Sequence, residues 1–474
     1  EYNLCVAEGY LECDEDPYEG RYEEVESRCD SPIYHPNRTM FLEFDFIHDD
    51  VINSTQADGI IGYEEANVAT PRYRKWNNTN DFEPESSGQA IGTNTVNDIT
   101  WSVVKGSHER NEIIMGTYDK GNDINIQVFD SSSWGNLQEV TATAENSAQR
   151  GFDIAYEDLS GDALIVYENG NTPDSIISYR VWNGVSYSAE ANLTTGLASG
   201  EVRWISLVEN IGSDSIMLLV HNDINGLYAI PWNGTDFLSS LELVLSTATT
   251  SITEEHFAFA WEESSGQGLV TYGEGNDLVY RTYDPVGGFG ITENTIALGN
   301  GLDSVRMCSE PTSDYIGIIM QDAGRDVNAR MWDGSTILTG SPSQDASTEA
   351  NGANNGNADC AWVNSTNALF GFVDANALAM DWFEFAKTNT WSTAALTSTS
   401  TTSLFAADDI KSLRFTEHPT TQEVMIVAMD LLEDVTTIYW NGTQIVVPTI
   451  STVETLTEVA NGAQESAMFD WFRY

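Results

Sequence analysis

Basic residues are scarce in this chain. Its 474 residues hold 73 Asp and Glu against 20 Lys and Arg, only five of them lysine, for a formal net charge of −53. A surface of that sign repels phosphate backbones and anionic headgroups, so nucleic acid is excluded as an expected partner. Long apolar runs are missing too. No stretch approaches the roughly 18–20 residues that span a bilayer, so no membrane span is expected. The motifs of common catalysts are absent. There is no HExxH, no Gly-x-Ser-x-Gly elbow, no phosphate-cradling glycine loop and no CxxC. The six histidines (His35, His48, His108, His221, His256, His418) show no metal-ligand spacing. Carboxylates are so numerous that a pair of them does not single out a glycosidase site. No enzyme is expected.

What is present points outside the cell. The first residue is Glu1, read as the mark of a removed upstream segment such as a secretory signal. Asn-x-Ser/Thr sequons stand at Asn37, Asn53, Asn77, Asn192, Asn233, Asn364 and Asn441, the acceptor pattern of secreted glycoproteins. Five cysteines occur, at Cys5, Cys13, Cys29, Cys308 and Cys360. In an oxidising compartment they predict one disulfide within the N-terminal cluster and a second between Cys308 and Cys360, with one thiol left over. The excess of acid suits divalent cations, high salt or a strongly hydrated exterior.

The chain repeats itself. Segments resembling Phe152-Asp153-Ile154-Ala155-Tyr156-Glu157 start near Thr100, Phe152, Val202, Phe257, Ser304, Ala358, Ile410 and Phe469, at intervals of 52, 50, 55, 47, 54, 52 and 59 residues. After each of the first seven comes a short apolar run, such as Ile113-Ile114-Met115-Gly116 or Val424-Met425-Ile426-Val427, bounded by Gly, Asn and Asp. These are buried strands rather than helices, and capped helix-period stretches are absent. Four short strands per unit of about 50 residues predict an all-β, eight-bladed β-propeller, with seven blades or a stacked pair of sandwiches as the alternatives. The eighth unit is split. Gly59–Tyr63 reads as its second strand, Tyr73–Asn77 as its third and Phe469–Tyr474 as its first. Strands from both ends of the module then close the ring.

An aromatic followed by Asn or Asp recurs where the third strand ends: Trp76-Asn77, Phe129-Asp130, Trp182-Asn183, Trp232-Asn233, Tyr283-Asp284, Trp332-Asp333 and Trp440-Asn441. The blade near Trp382 departs from the pattern. The Asx residues suit tight hairpin turns, and the aromatics are expected to pack between blades or over the hairpin. With these motifs the chain resembles secreted β-propeller repeat proteins as a class. Neither Trp-Asp endings nor Ser-x-Asp-x-Gly-x-Thr-Trp boxes tie it to a particular family.

A propeller sorts its turns by face. The turns from second to third strands are acidic: Glu64, Asp119 and Asp123, Glu168, Asp322 and Asp326, Asp430 and Asp434 among others. They read either as a ring of oxygen donors for Ca²⁺ or as ordinary turn residues, and Asp119, Asn122 and Asp123 are the best candidate metal ligands. The opposite face collects Asn77, Asn233 and Asn441 in turns from third to fourth strands, and Asn364 in or before a turn from first to second. Asn192 is placed in a link between blades. Asp153, Asp359 and Asp470 are read as equivalent positions lining the channel, with Ser102, Arg203 and Ser412 near the same register; a cation site there is a further candidate.

Residues 1–58 stand apart as a second region, with 16 acidic and three basic residues and three cysteines. Within it, residues 40–47 alternate like a strand that folds back on the propeller or pairs with a neighbouring subunit. The first functional expectation is an extracellular structural protein, a subunit that polymerises head to tail in a cell-surface filament or layer. The alternative is a carbohydrate-binding or adhesive propeller, with Trp182, Trp232, Trp332 and Trp440 as stacking platforms. A glycan-processing enzyme ranks third.

Overall fold

The structure is a computed structural model. It describes residues 59–474 apart from 65–69, 78–80, 90–98, 146, 171–175, 194–199, 239–242, 248, 250–254, 339–355, 357, 375–378, 393–395, 398–409, 420, 431–433, 448–451, 455–466 and 472–474. The chain divides into two units, Glu1–Gln56 and Ala57–Tyr474. The first lies outside the described residues, and with it lie Asn37, Asn53, Cys5, Cys13, Cys29 and the alternating segment at 40–47.

The second unit is an eight-bladed propeller. Blades 1 to 8 take as inner strands Ile99–Gly106, Phe152–Tyr156, Val202–Glu209, Phe257–Glu262, Leu302–Ser309, Ala358–Asn364, Ile410–Glu417 and Ala467–Trp471. Each starts within two residues of the position expected from the repeat. Every blade is an antiparallel sheet of three to five strands. Each inner strand lies against those of the blades before and after it, and that of blade 8 lies between blades 7 and 1.

Closure is carried by pairing of distant chain segments. Gly59–Tyr63 pairs on one side with Arg72–Asn77 and on the other with Ala467–Trp471, Gly59 opposite Trp471 and Ile61 opposite Phe469. Successive side chains of a strand point to opposite faces, and both faces here are covered. Ile61 and Tyr63 pack with Met425, Tyr439 and Trp471 toward blade 7. Ile60 packs with Val104, Met115 and Phe129 toward blade 1. Burial on both sides is why these strands read as continuous apolar runs.

Two kinds of blade alternate. In blades 1, 3, 5 and 7 the inner strand has eight residues and slips register near its start, at Ile99/Trp101, Val202/Trp204, Leu302/Ser304 and Ile410/Ser412. In blades 2, 4, 6 and 8 it is shorter, and all but blade 2 carry a Trp near its end. The indole N–H groups of Trp261, Trp362 and Trp471 donate to Val208 O, Cys308 O and Thr416 O of the preceding blade at 2.9, 3.1 and 2.9 Å. The period of the molecule is thus two blades. Cys308 and Cys360 form the expected disulfide, Cα atoms 5.8 Å apart, joining the inner strands of blades 5 and 6.

Candidate functional site: the axial channel

The inner strands enclose a cavity of about 320 Å³. Its wall follows from the alternation of blades. Six residues before Tyr156, Trp261 and Trp362, which hold matching registers in blades 2, 4 and 6, stand Arg150, Glu255 and Gly356. Of the fifth residues of the odd inner strands, Ser206, Arg306 and Arg414 line the cavity, while Val103 is buried in the core of blade 1. Backbone bonds confirm the correspondence: Ile205 N donates to Arg150 O, and Leu413 N to Gly356 O.

Three arginines converge on one carboxylate. Glu255 Oε1 lies 2.7 Å from Arg150 Nη2, and Oε2 lies 3.1 Å from Arg306 Nη2 and 3.8 Å from Arg414 Nη2. Arg150 Nη1 also meets Asp153 Oδ2 at 2.9 Å. Burial alone would raise the Glu255 carboxyl; Arg150, Arg306 and Arg414 overcome that and hold it at about 2. Burial pushes Asp359 above the ordinary carboxylate value, against the pull of Arg414 and Arg306. Next to Glu255, His256 packs edge-on against His221 with ring centroids 5.2 Å apart, both fully buried. Further along the channel wall, Glu263 is pushed up to about 8, by burial first and then by Glu209, Asp158 and Glu417.

The expected channel aspartates all line the cavity and share one role. Asp153 accepts from Ile154 N and, at 2.9 Å, from Leu207 N of the next blade. Asp359 repeats this with Cys360 N and Phe415 N. Asp470 makes the same pair of bonds from a different register, accepting from Trp471 N on one oxygen. Met468, opposite Gly62, holds the register of Asp153 and Asp359, and Asp470, two residues on, accepts from Gly106 N at 2.9 Å. All three staple neighbouring blades together.

At the turns from second to third strands the carboxylates serve the hairpin. Asp119 Oδ1 accepts from Gly121 N at 2.7 Å and Asp123 N at 3.1 Å, while Asn122 takes the left-handed φ of 67°. Asp322 does the same for Gly324 N and Asp326 N, and Asp430 for Asp434 N. Burial raises the Asp119 carboxyl to about 6, with the Asp123 charge adding and the turn N–H groups opposing. Glu64, Asp119, Glu168, Asp322, Asp430 and Asp434 are buried, whereas Asp123, Asp223, Glu274, Asp277 and Asp326 are half-buried, so the acidic ring read from the sequence is in part turned inward. Among the described residues no group of three His, Cys, Asp or Glu is arranged to hold a metal ion.

The four tryptophans expected as sugar platforms are buried, with 1%, 2%, 4% and 6% of the surface of Trp182, Trp232, Trp332 and Trp440 exposed. Three donate their indole N–H across the blade boundary, Trp182 to Glu112, Trp232 to Glu157 and Trp332 to Glu262, at 3.1, 2.6 and 3.0 Å. A buried ring bonded this way has no free face, which overturns the stacking role and leaves the inter-blade one. The Asx that follows caps the hairpin. Asn233 Oδ1 accepts from Thr235 N, Thr235 Oγ1 and Asp236 N, and Asn441 and Asn364 repeat the pattern with Thr443 and Thr366. In these three sequons the hydroxyl residue completes the turn. Asn77 ends the third strand of blade 8. Asn192 is corrected: it lies exposed in the outer strand Ala191–Asn192 rather than in a link between blades.

Arg150, Glu255, Arg306 and Arg414 escaped the sequence reading. Their signal was present. They keep fixed offsets from the inner-strand repeat, and three of them are arginines in a chain with few basic residues.

No protein-family model matches this chain, and no curated protein does. Solved structures do. A lectin from Burkholderia pseudomallei, BP39L, matches with a TM-score of 0.53 and 11% identity over 74% of this chain and 98% of that one. The β-propeller domain of the Trilobed protease from Pyrococcus furiosus matches at a TM-score of 0.41 and 8% identity, over 76% of this chain and 99% of that domain. The six-bladed fucose-recognising lectin of Aleuria aurantia matches at 0.33 and 14%, over 60% and 98%. At these identities the likeness is one of fold.

Proposed function

We propose that this protein is a carbohydrate-binding propeller whose ligand seat is the axial channel. The observation that carries the reading is the channel wall: Arg150, Glu255, Arg306 and Arg414 place charged donors and acceptors around a cavity of about 320 Å³. Convergent polar groups in a preformed concavity are what a polyhydroxylated ligand requires. The matched lectin from Burkholderia pseudomallei lends the same direction to the reading. Action outside the cell is part of the proposal, supported by the Cys308–Cys360 disulfide. No catalytic role is proposed for the channel groups. The filament reading has less behind it, since Leu159, Val185 and Ile224, among the exposed large apolar side chains, each sit on a separate turn.

The test is a glycan array probed with the whole chain and with Ser206→Tyr, which places a ring in the channel, after thermal melting has shown the variant folded. Binding to a subset of glycans that the variant loses is the expected result. An empty array, or binding that the variant keeps, overturns the proposal.

A further inference from the structure

We infer that the sugar is held at the seam between blades 4 and 5, where one of its hydroxyl oxygens accepts the backbone N–H of Met307 beside Ala258; this rests on the reading of the channel as the ligand seat.

The sixth residues of the odd inner strands are Val104, Leu207, Met307 and Phe415. Each pairs with its own second strand in the same register, opposite Met115, Leu218, Ile318 and Ile426. Antiparallel pairs alternate between bonded and unbonded positions, so the four N–H groups leave their sheets in the same sense, toward the preceding blade. Three of them meet a side-chain acceptor there. Leu207 N donates to Asp153 Oδ2 and Phe415 N to Asp359 Oδ2, each at 2.9 Å, and Val104 N donates to Met468 Sδ at 3.3 Å. These acceptors share one register of the even inner strands, three residues before Tyr156, Trp362 and Trp471.

In blade 4 that register is held by Ala258, three residues before Trp261. A methyl group accepts no hydrogen bond, and among the described residues Met307 N has no side-chain acceptor. The two residues do adjoin. Thr271, paired with Ala258, donates its hydroxyl to Met307 Sδ at 3.2 Å. The seam is also open to the channel. Ala258 and Met307 line the cavity and are half-buried, whereas Asp153, Leu207, Asp359 and Phe415 expose only 4%, 3%, 7% and 8% of their surface. A donor and a recess thus stand where the equivalent seams carry their own acceptor. A sugar hydroxyl suits both parts: its oxygen accepts from Met307 N, and the C–H groups beside it rest on the Ala258 and Met307 side chains.

Two residues already present in the ring supply the test. Ala258→Asp copies blades 2 and 6, and Ala258→Met copies blade 8; each gives Met307 N an acceptor and fills the recess. On the glycan array, both variants, shown folded by thermal melting, should bind at least about tenfold more weakly than the parent, the scale of one hydrogen bond lost. Hydrogen exchange in the unaltered chain reads the same seat without a mutation and decides the matter if neither variant folds. The Met307 amide should exchange at least about tenfold faster than those of Leu207 and Phe415, and the tightest-binding array glycan should slow it. Undiminished binding by a folded variant, or a Met307 amide as protected as its counterparts before any glycan is added, overturns the inference. If Ser206→Tyr abolishes binding while Ala258→Asp and Ala258→Met bind as the parent does, the seam falls and the channel reading stands. An empty array takes down the carbohydrate reading, and the seam with it.

Discussion

Glu168 was read from the sequence as a turn residue; the structure puts it in the strand Ala163–Asn169 with 1% of its surface exposed. Burial pushes its carboxyl up to about 8, against the Glu145 N–H that donates to it. A group whose folded value exceeds its unfolded one contributes full stability below the unfolded value, and that contribution is lost as pH rises through the folded one. The window for Glu168 runs from about 4.5 to about 8. Glu168→Gln, which keeps an acceptor for Glu145 N, should raise the melting temperature at pH 9, removing a penalty on the order of 5 kcal/mol, and change little at pH 4.5. Calorimetric melts across that range check it, and equal shifts at both ends would show that Glu168 does not set the slope. His221 works in the opposite direction. Burial, then His256, lowers it to about 3, so its contribution is present above about 6.5 and is lost as pH falls toward 3.

Among elements, the split blade is where the ring can be opened. Gly59 sits opposite Trp471, and a Cβ there would stand 2.3 Å from Phe469 Cζ. Gly268 makes the same approach to Phe259 in blade 4. Gly59→Ala should therefore cost about 1–3 kcal/mol through overpacking. Trp471→Ala should cost more, about 3–5 kcal/mol, because it empties the boundary between blades 7 and 8 and removes the bond to Thr416 O. Denaturant melts read both, and a Trp471→Ala chain as stable as the parent would show that closure does not depend on this strand. The strands of blade 8 were legible in the sequence because each keeps its repeat signature. The alternation of blade types was not, since a register slip at Ile99/Trp101 is a matter of pairing and leaves no change of composition.

At the scale of the molecule, charge and covalent linkage oppose each other. A chain with a net charge of −53 strains against its own compact form, and salt relieves the strain. Its melting temperature should rise between 10 mM and 500 mM NaCl; a fall would mean that channel ion pairs outweigh the surface repulsion. The disulfide spans a sequence separation of 52 residues, which corresponds to about 4 kcal/mol of restricted unfolded-state freedom. Reduction, or the Cys308→Ala/Cys360→Ala double change, should lower stability by that order without unpairing blades 5 and 6, whose contact also includes the Trp362 bond to Cys308 O. Retained far-ultraviolet circular dichroism with a lowered melting point is the expected pair of observations.

Eight blades and closure by both ends of the module were determined by the sequence alone, because each rests on a pattern that recurs along the chain; the Cys308–Cys360 pairing was expected, but only the fold, which sets the two Cα atoms 5.8 Å apart, decided it. What the carboxylates and indoles do was decided only in three dimensions. Asp119 and Trp232 have the composition of a ligand site. Asp119 closes its own turn on Gly121 and Asp123, and Trp232 bonds Glu157 of the preceding blade at a sequence separation of 75; composition distinguishes neither from a ligand. The channel is the clearest instance. Arg150, Glu255, Arg306 and Arg414 come from four blades, and only the curvature of the ring brings them to one axis.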